Sequence, residues 1–169
     1  MRDRILVGID PGPTTSGLVV YLLGPSGPGR VVRAYASADI VQVRSEISLA
    51  SEVDGEVVVE CTQAGPPSGA VVKTTEVVGR ILERCEVEGI PCHPYYRREV
   101  LQALGCARKG NKDSLVRFAM IELHGGDRRT AIGTKKQPGP LYGVTSHAWQ
   151  ALGLIAAHTL PWKKDTTNG

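Results

Sequence analysis

No two of the four cysteines (Cys61, Cys85, Cys92 and Cys106) form a CxxC pair, so a structural zinc site of the cysteine-pair type is not expected. Cys61 and Cys85 lie in or beside apolar runs and read as small core residues. No apolar stretch nears the roughly 20 residues of a membrane-spanning helix, and no membrane partner is expected. The N-terminus is charged and leads straight into a strand pattern, not into the apolar core of a secretion signal. A reducing, cytoplasmic setting is the expectation. Net charge is only +3 over 169 residues, and charged residues make up 22%, too few and too mixed for a chain that stays unfolded.

Apolar residues amount to 41%, enough for one buried core, whereas two domains would each have a small one. One domain over 1–160 is expected, with a disordered tail at 161–169. The charge is unevenly spread. Residues 97–136 hold ten Lys or Arg and four acids, a local +6, and the rest of the chain is −3. A basic stretch suits a phosphate-backbone partner, although a solvated basic surface would look the same.

Residues 5–9 form a continuous apolar run that ends at Asp10, and 18–23 form another. Pro11, Gly12 and Pro13 between them forbid a helix, so the pair reads as a hairpin. A third strand is expected over 31–36. A helical pattern covers 39–52. Val57, Val58 and Val59 lead into Glu60, the mark of a strand buried on both faces. A helix over 70–88 carries Val71, Thr74, Val78, Ile81, Leu82 and Cys85 on one stripe, and Gly89 ends it. A short strand over 90–95 follows, then helices near 97–104 and 112–124, the second capped by Asn111. Residues 125–143 show no periodic pattern and read as an unstructured functional loop. The last helix spans 146–159 with Ser146 as N-cap, and its apolar sides predict burial. The order describes an α/β fold, a five-stranded mixed sheet with flanking helices.

Asp10 ends the first strand and Glu60 the fourth. Ligands of open α/β sheets gather beyond the carboxyl ends of strands. If the two strands are parallel neighbours, the carboxylates meet, and hard oxygen ligands suit Mg²⁺ or Mn²⁺. His147 opens the last helix, and Gln150 follows one turn later on the same side. Neutral imidazole binds metal or accepts a proton. Singly, each residue also reads as a solvated strand end or a helix-start histidine. His124 and His158 have no comparable setting, and His93 reads as structural.

These segments together resemble the RuvC-type Holliday-junction resolvases of the ribonuclease H-like superfamily, particularly phage-type and uncharacterised members. Residues 5–17 (ILVGIDPGPTTSG) are similar to the family's opening strand, 57–60 (VVVE) to its second acidic strand, and 146–157 (SHAWQALGLIAA) to its last helix. The likeness runs in order over 4–158. It implies a homodimeric, metal-dependent endonuclease that hydrolyses phosphodiester bonds in branched DNA, with two cations about 4 Å apart. It implies catalytic and metal-binding roles for Asp10, Glu60 and His147. Gln150 stands where the family has its last Asp, so a neutral amide replaces a charged ligand, and the second metal binds weakly or Asp113 substitutes. The basic residues Arg108, Lys109, Lys112, Lys135 and Lys136 are expected to hold DNA, with Lys112 near the scissile strand. Tyr95 and Tyr96 read as core packing or as stacking platforms.

Three other readings share the fold. Gln150 favours a module that grips junctions without cutting. A related nuclease could act on RNA. The loop after Asp10 also resembles the phosphate loop of actin-like ATPases, but those need two such domains around ATP.

Overall fold

The structure is a computed structural model that describes residues 3–25, 28–63, 66, 68–107 and 112–160. Five strands form one sheet: β1 (Arg4–Asp10), β2 (Ser16–Leu23), β3 (Arg30–Ala38), β4 (Glu56–Cys61) and β5 (Cys92–Tyr96). Their order is β3-β2-β1-β4-β5. The first three form an antiparallel meander, and β4 and β5 run parallel to β1. The expected five-stranded mixed sheet is therefore present. β5 begins two residues later than expected, at Cys92.

The apolar runs in β1 and β2 alternate between two cores. Leu6, Val19 and Tyr21 face one layer, and Val7, Ile9, Leu18 and Val20 face the other, as a two-residue period requires. On the second layer lie α1 (Ile40–Ser51) and α2 (Gly69–Glu88). Asp39 caps α1 by accepting from the Gln42 amide at 2.8 Å, and α2 closes on Gly89 at φ 66°. Only the middle of the expected α2 stripe is deeply buried: Val78, Ile81 and Cys85 are in the core, but Leu82 is exposed. Cys61 is half-buried, not a core residue.

The other layer is built on α6 (Ala148–Thr159), with α3 (Arg97–Ala103) and α4 (Lys112–Leu123) outside it. Every α6 residue from Ala148 to Ala157 is buried, which explains its apolar circumference. α6 crosses β1, β2 and β4 closely because Gly8 and Gly17 lie beneath it. A Cβ on Gly8 would overlap the Ala151 carbonyl oxygen, and one on Gly17 would overlap that of His147.

Two expectations need correction. α6 starts at Ala148 with His147 as its N-cap residue, and Ser146 sits before it at φ 46°. A Ser N-cap needs extended backbone, so Ser146 does not cap. The stretch 125–143 is also not structureless. It holds a short helix, α5 (Arg128–Ala131), capped by Asp127, which accepts from Thr130 N at 2.9 Å. An isolated bridge joins Gly133 to Pro138, Leu141 is fully buried, and the Val31 amide donates to the Pro140 carbonyl at 2.7 Å. Turn hydrogen bonds organise this segment, so it leaves no hydrophobic period to read. The expected cap Asn111 and the tail 161–169 lie outside the described residues. Among the described residues, no helix is long and apolar enough to cross a membrane.

Candidate active site

The register sets Ile9 beside Val59, so Asp10 and Glu60 follow on adjacent parallel strands, about 5 Å apart between backbones. Both lie on the α6 side of the sheet, by alternation from Leu6 and Val58. Here they meet the start of α6. The His147 Nδ1 lies 3.6 Å from Asp10 Oδ2, and the imidazole is 70% exposed. Gln150 is buried. Asp10, Glu60, Asp113, His147 and Gln150 line one open cleft of about 440 Å³, together with the Pro11–Thr15 turn and Arg97.

Burial dominates the electrostatics. It pushes the Asp10 carboxyl up to about 6, against the lowering influence of His147 and Arg97. Burial, and then repulsion from Asp10, push Glu60 up to about 7, again opposed by Arg97. Two desolvated carboxylates side by side disfavour their own charged forms. Such a pair is a common feature of sites built to receive a cation or proton.

Arg97 is the residue that sequence reasoning missed as a site residue. It starts α3 directly after β5. Its Nη1 donates to Gln150 Oε1 and lies 3.5 Å from Glu60 Oε2, and its Nη2 donates to Asp113 Oδ1 at 2.8 Å. One guanidinium thus gathers three of the candidate ligands. The signal was available: β5 is parallel to β4, so the residue after it must emerge at the same edge.

The candidate ligands are not tightly converged. Among the described residues, the group of three whose ligand atoms all fall within 4.8 Å lies elsewhere, at Glu56, His93 and His158. Of the residues expected to hold DNA, Lys112 donates to the Cys106 and Ala107 carbonyls, at 3.5 and 3.3 Å. Lys135 and Lys136 are exposed on the Gly133–Pro138 turn and do not line the cleft. Arg108 and Lys109 lie outside the described residues. Tyr96 is exposed, while the Tyr95 hydroxyl is 3.1 Å from His158 Nδ1.

No protein-family model matches the sequence, and no curated protein matches it. Solved structures do match. RuvC of Thermus thermophilus aligns with a TM-score of 0.65 at 20% identity, over 91% of this chain and 92% of that one. The same protein in complex with a Holliday junction substrate aligns with a TM-score of 0.66 at 20% identity, over 92% of each. The chain has the RuvC fold. The ribonuclease H-like architecture expected from the ordered motifs is therefore present over nearly the whole chain. The RuvC fold brings Asp10, Glu60, His147 and Gln150 to one cleft, and Asp113 reaches it through Arg97.

Proposed function

We propose that this protein is a metal-dependent endonuclease that hydrolyses phosphodiester bonds in branched DNA, four-way junctions above all. The observation that carries this reading is the pairing of Asp10 and Glu60, two buried carboxylates at the carboxyl edge of a RuvC fold, both pushed toward neutrality. The solved complex of a protein with this fold and a Holliday junction supports the substrate class.

The residues fit a hard divalent cation. Mg²⁺ or Mn²⁺ would turn two desolvated anions into ligands and offset the cost of burying them. Asp10, Glu60 and His147 would hold it. Gln150 and Asp113 could add oxygens, but Arg97 engages both, so one strong cation site and one contested by the guanidinium fit the geometry. A bound cation would supply Lewis-acid stabilisation of the charge that builds on phosphate during hydrolysis. The rest falls to side chains. His147, exposed and 3.6 Å from Asp10, would bring the one nitrogen donor of this ligand set. Arg97 is placed to donate to a phosphate oxygen once it leaves the acids. Lys135 and Lys136 would track the backbone away from the cleft.

We further propose a homodimer through α2, whose Val72, Leu82 and Val87 are exposed. A four-way junction is two-fold symmetric and needs paired cuts. Monomer mass at micromolar concentration in solution scattering would overturn this assembly.

A junction-binding module without catalysis is the second reading, favoured by Arg97 neutralising the acids and by the amide at Gln150. One assay separates the two. Four-way junction, linear duplex, single strand and RNA–DNA hybrid are incubated with Mg²⁺ or Mn²⁺. Junction cleavage supports the nuclease, and cleavage of the hybrid alone redirects it to RNA. Tight junction binding with no cleavage in either metal supports the module.

A further inference from the structure

A second cluster of ligating side chains lies at the other end of the same strand. Glu56 opens β4, His93 lies on β5 beside Val58, and His158 is in the last turn of α6. The two imidazoles stack with centroids 4.2 Å apart at 31°. Both aim Nε2 at one oxygen: His93 at 3.0 Å and His158 at 3.4 Å from Glu56 Oε2. One ligand atom from each of the three residues lies within 4.8 Å of the others.

We propose that Glu56, His93 and His158 bind a Zn²⁺-class transition-metal ion at the amino edge of the sheet. Two imidazole nitrogens and one carboxylate oxygen are a recognised three-ligand set for zinc, with a water completing the tetrahedron. Nitrogen donors favour such an ion over Mg²⁺ or Ca²⁺. The surroundings suit a ligand role. The Tyr95 hydroxyl, 3.1 Å from His158 Nδ1, can accept a hydrogen bond from the protonated Nδ1, which leaves the Nε2 lone pair for the metal, the outer-shell arrangement that orients ligating histidines. Arg4 opposes binding, since its guanidinium pairs with Glu56 Oε1, but Oε2 still faces the imidazoles. Binding would tie together β4, β5 and the end of α6.

The test uses the full chain carrying Asp10→Asn and Glu60→Gln, so that the carboxyl-edge site does not capture the ion. After chelator treatment it is titrated with CoCl2 and then with ZnCl2. The expected result is one equivalent of Co²⁺ with visible d–d absorption, displaced by Zn²⁺, with no thiolate charge-transfer band. His93→Gln should weaken Zn²⁺ binding by at least about a hundredfold, and Tyr95→Phe by about tenfold, as for loss of an outer-shell partner. Arg4→Gln should tighten it. A thiolate band would place the ion on cysteine and overturn the assignment, as would unchanged affinity in His93→Gln. Should His93→Gln fail to fold, Tyr95→Phe and Arg4→Gln must still move the affinity in opposite directions. No movement in either refutes the site.

Discussion

Glu56 and Glu60 leave the same face of the same strand, about 13 Å apart, yet they live under opposite fields. Burial pushes Glu56 up, but hydrogen bonds and charge from Arg4, with hydrogen bonds from His158 and His93, outweigh it and bring its carboxyl below the ordinary range. Glu60 has one cation, Arg97, shared with Gln150 and Asp113, and a repelling neighbour in Asp10, so it rises to about 7. The amino edge has met its electrostatic demands with protein groups. The carboxyl edge has left them open. A hard cation with a phosphate calls for the second way, whereas the amino edge offers a softer ion imidazole nitrogens already gathered on one carboxylate, and the cost of the open edge appears as perturbed carboxylates rather than as poor packing.

That contrast can be broken at its centre first. Asp10→Asn removes one of the two paired anions and should reduce junction cleavage by at least about a thousandfold, the scale of losing several kcal/mol of metal-assisted stabilisation. Junction binding should persist or tighten, since a carboxylate cluster without its cation repels phosphate. Residual cleavage near the parent rate would remove Asp10 from the chemistry.

The next effect concerns stability and pH. Glu60 is raised in the folded state, so the folded protein binds its proton more tightly than the unfolded chain does. Its destabilising share is absent below the ordinary carboxylate range and grows as pH rises toward 7. The chelator-treated protein should therefore lose stability on the order of 2–3 kcal/mol from this group between pH 4 and 7.5. Glu60→Gln should flatten that slope in denaturant melts. Glu56 acts with the opposite sign: its stabilisation is present at neutral pH and lost as pH falls through the carboxylate range. A Glu60→Gln protein with an unchanged slope would show that the two edges do not differ as described.

Sharpening comes from Gln150. An amide and an imidazole give the site fewer negative charges than four carboxylates would, and imidazole suits Mn²⁺ better than Mg²⁺. Cleavage should be about tenfold faster in Mn²⁺, and Gln150→Asp should narrow that gap. Equal rates in both metals, unmoved by the substitution, would place position 150 outside the metal's reach.

A smaller loss, about 1 kcal/mol, is expected for Glu56→Gln at neutral pH, because its partners are partly solvated. Thermal melts should register it, and cleavage should not change. Smallest is the effect at the DNA backbone. Neutralising Lys135 and Lys136 should weaken binding to all DNA alike and lower the salt slope by about one for each phosphate that a lysine no longer neutralises. An unchanged slope would take that turn off the DNA surface.

The two edges also differ in how legible they were. Asp10 and Glu60 could be read because each ends an apolar run, and a run that stops on a carboxylate marks a strand end locally. Their pairing needed only the register between β1 and β4. Arg97 was countable as part of a basic stretch but not as a site residue, because its role comes from partners 16, 37 and 53 residues away. The Glu56 cluster was harder still. Its residues come from β4, β5 and the far end of α6, with His158 and Glu56 102 residues apart, and no local pattern surrounds the histidines. Ser146 misled for a different reason: residue type suggested a cap, and the backbone took a left-handed turn that composition does not report.

The central position of α6 has a consequence for the order of assembly. The meander of β1 to β3 closes through neighbours in sequence, and pairings of that kind form early. The helix that fills one side of the sheet comes last in the order of elements, after more than a hundred residues of intervening chain. During synthesis from the N-terminus, the earlier strands emerge without the cover that Gly8 and Gly17 are shaped to receive, and their apolar face is a hazard for aggregation until α6 emerges. The same delay is protective. His147 and Gln150 arrive with α6, so a nascent or truncated chain carries Asp10 and Glu60 but an incomplete cleft. If the protein is the nuclease proposed above, its competence is thereby tied to completion of the fold.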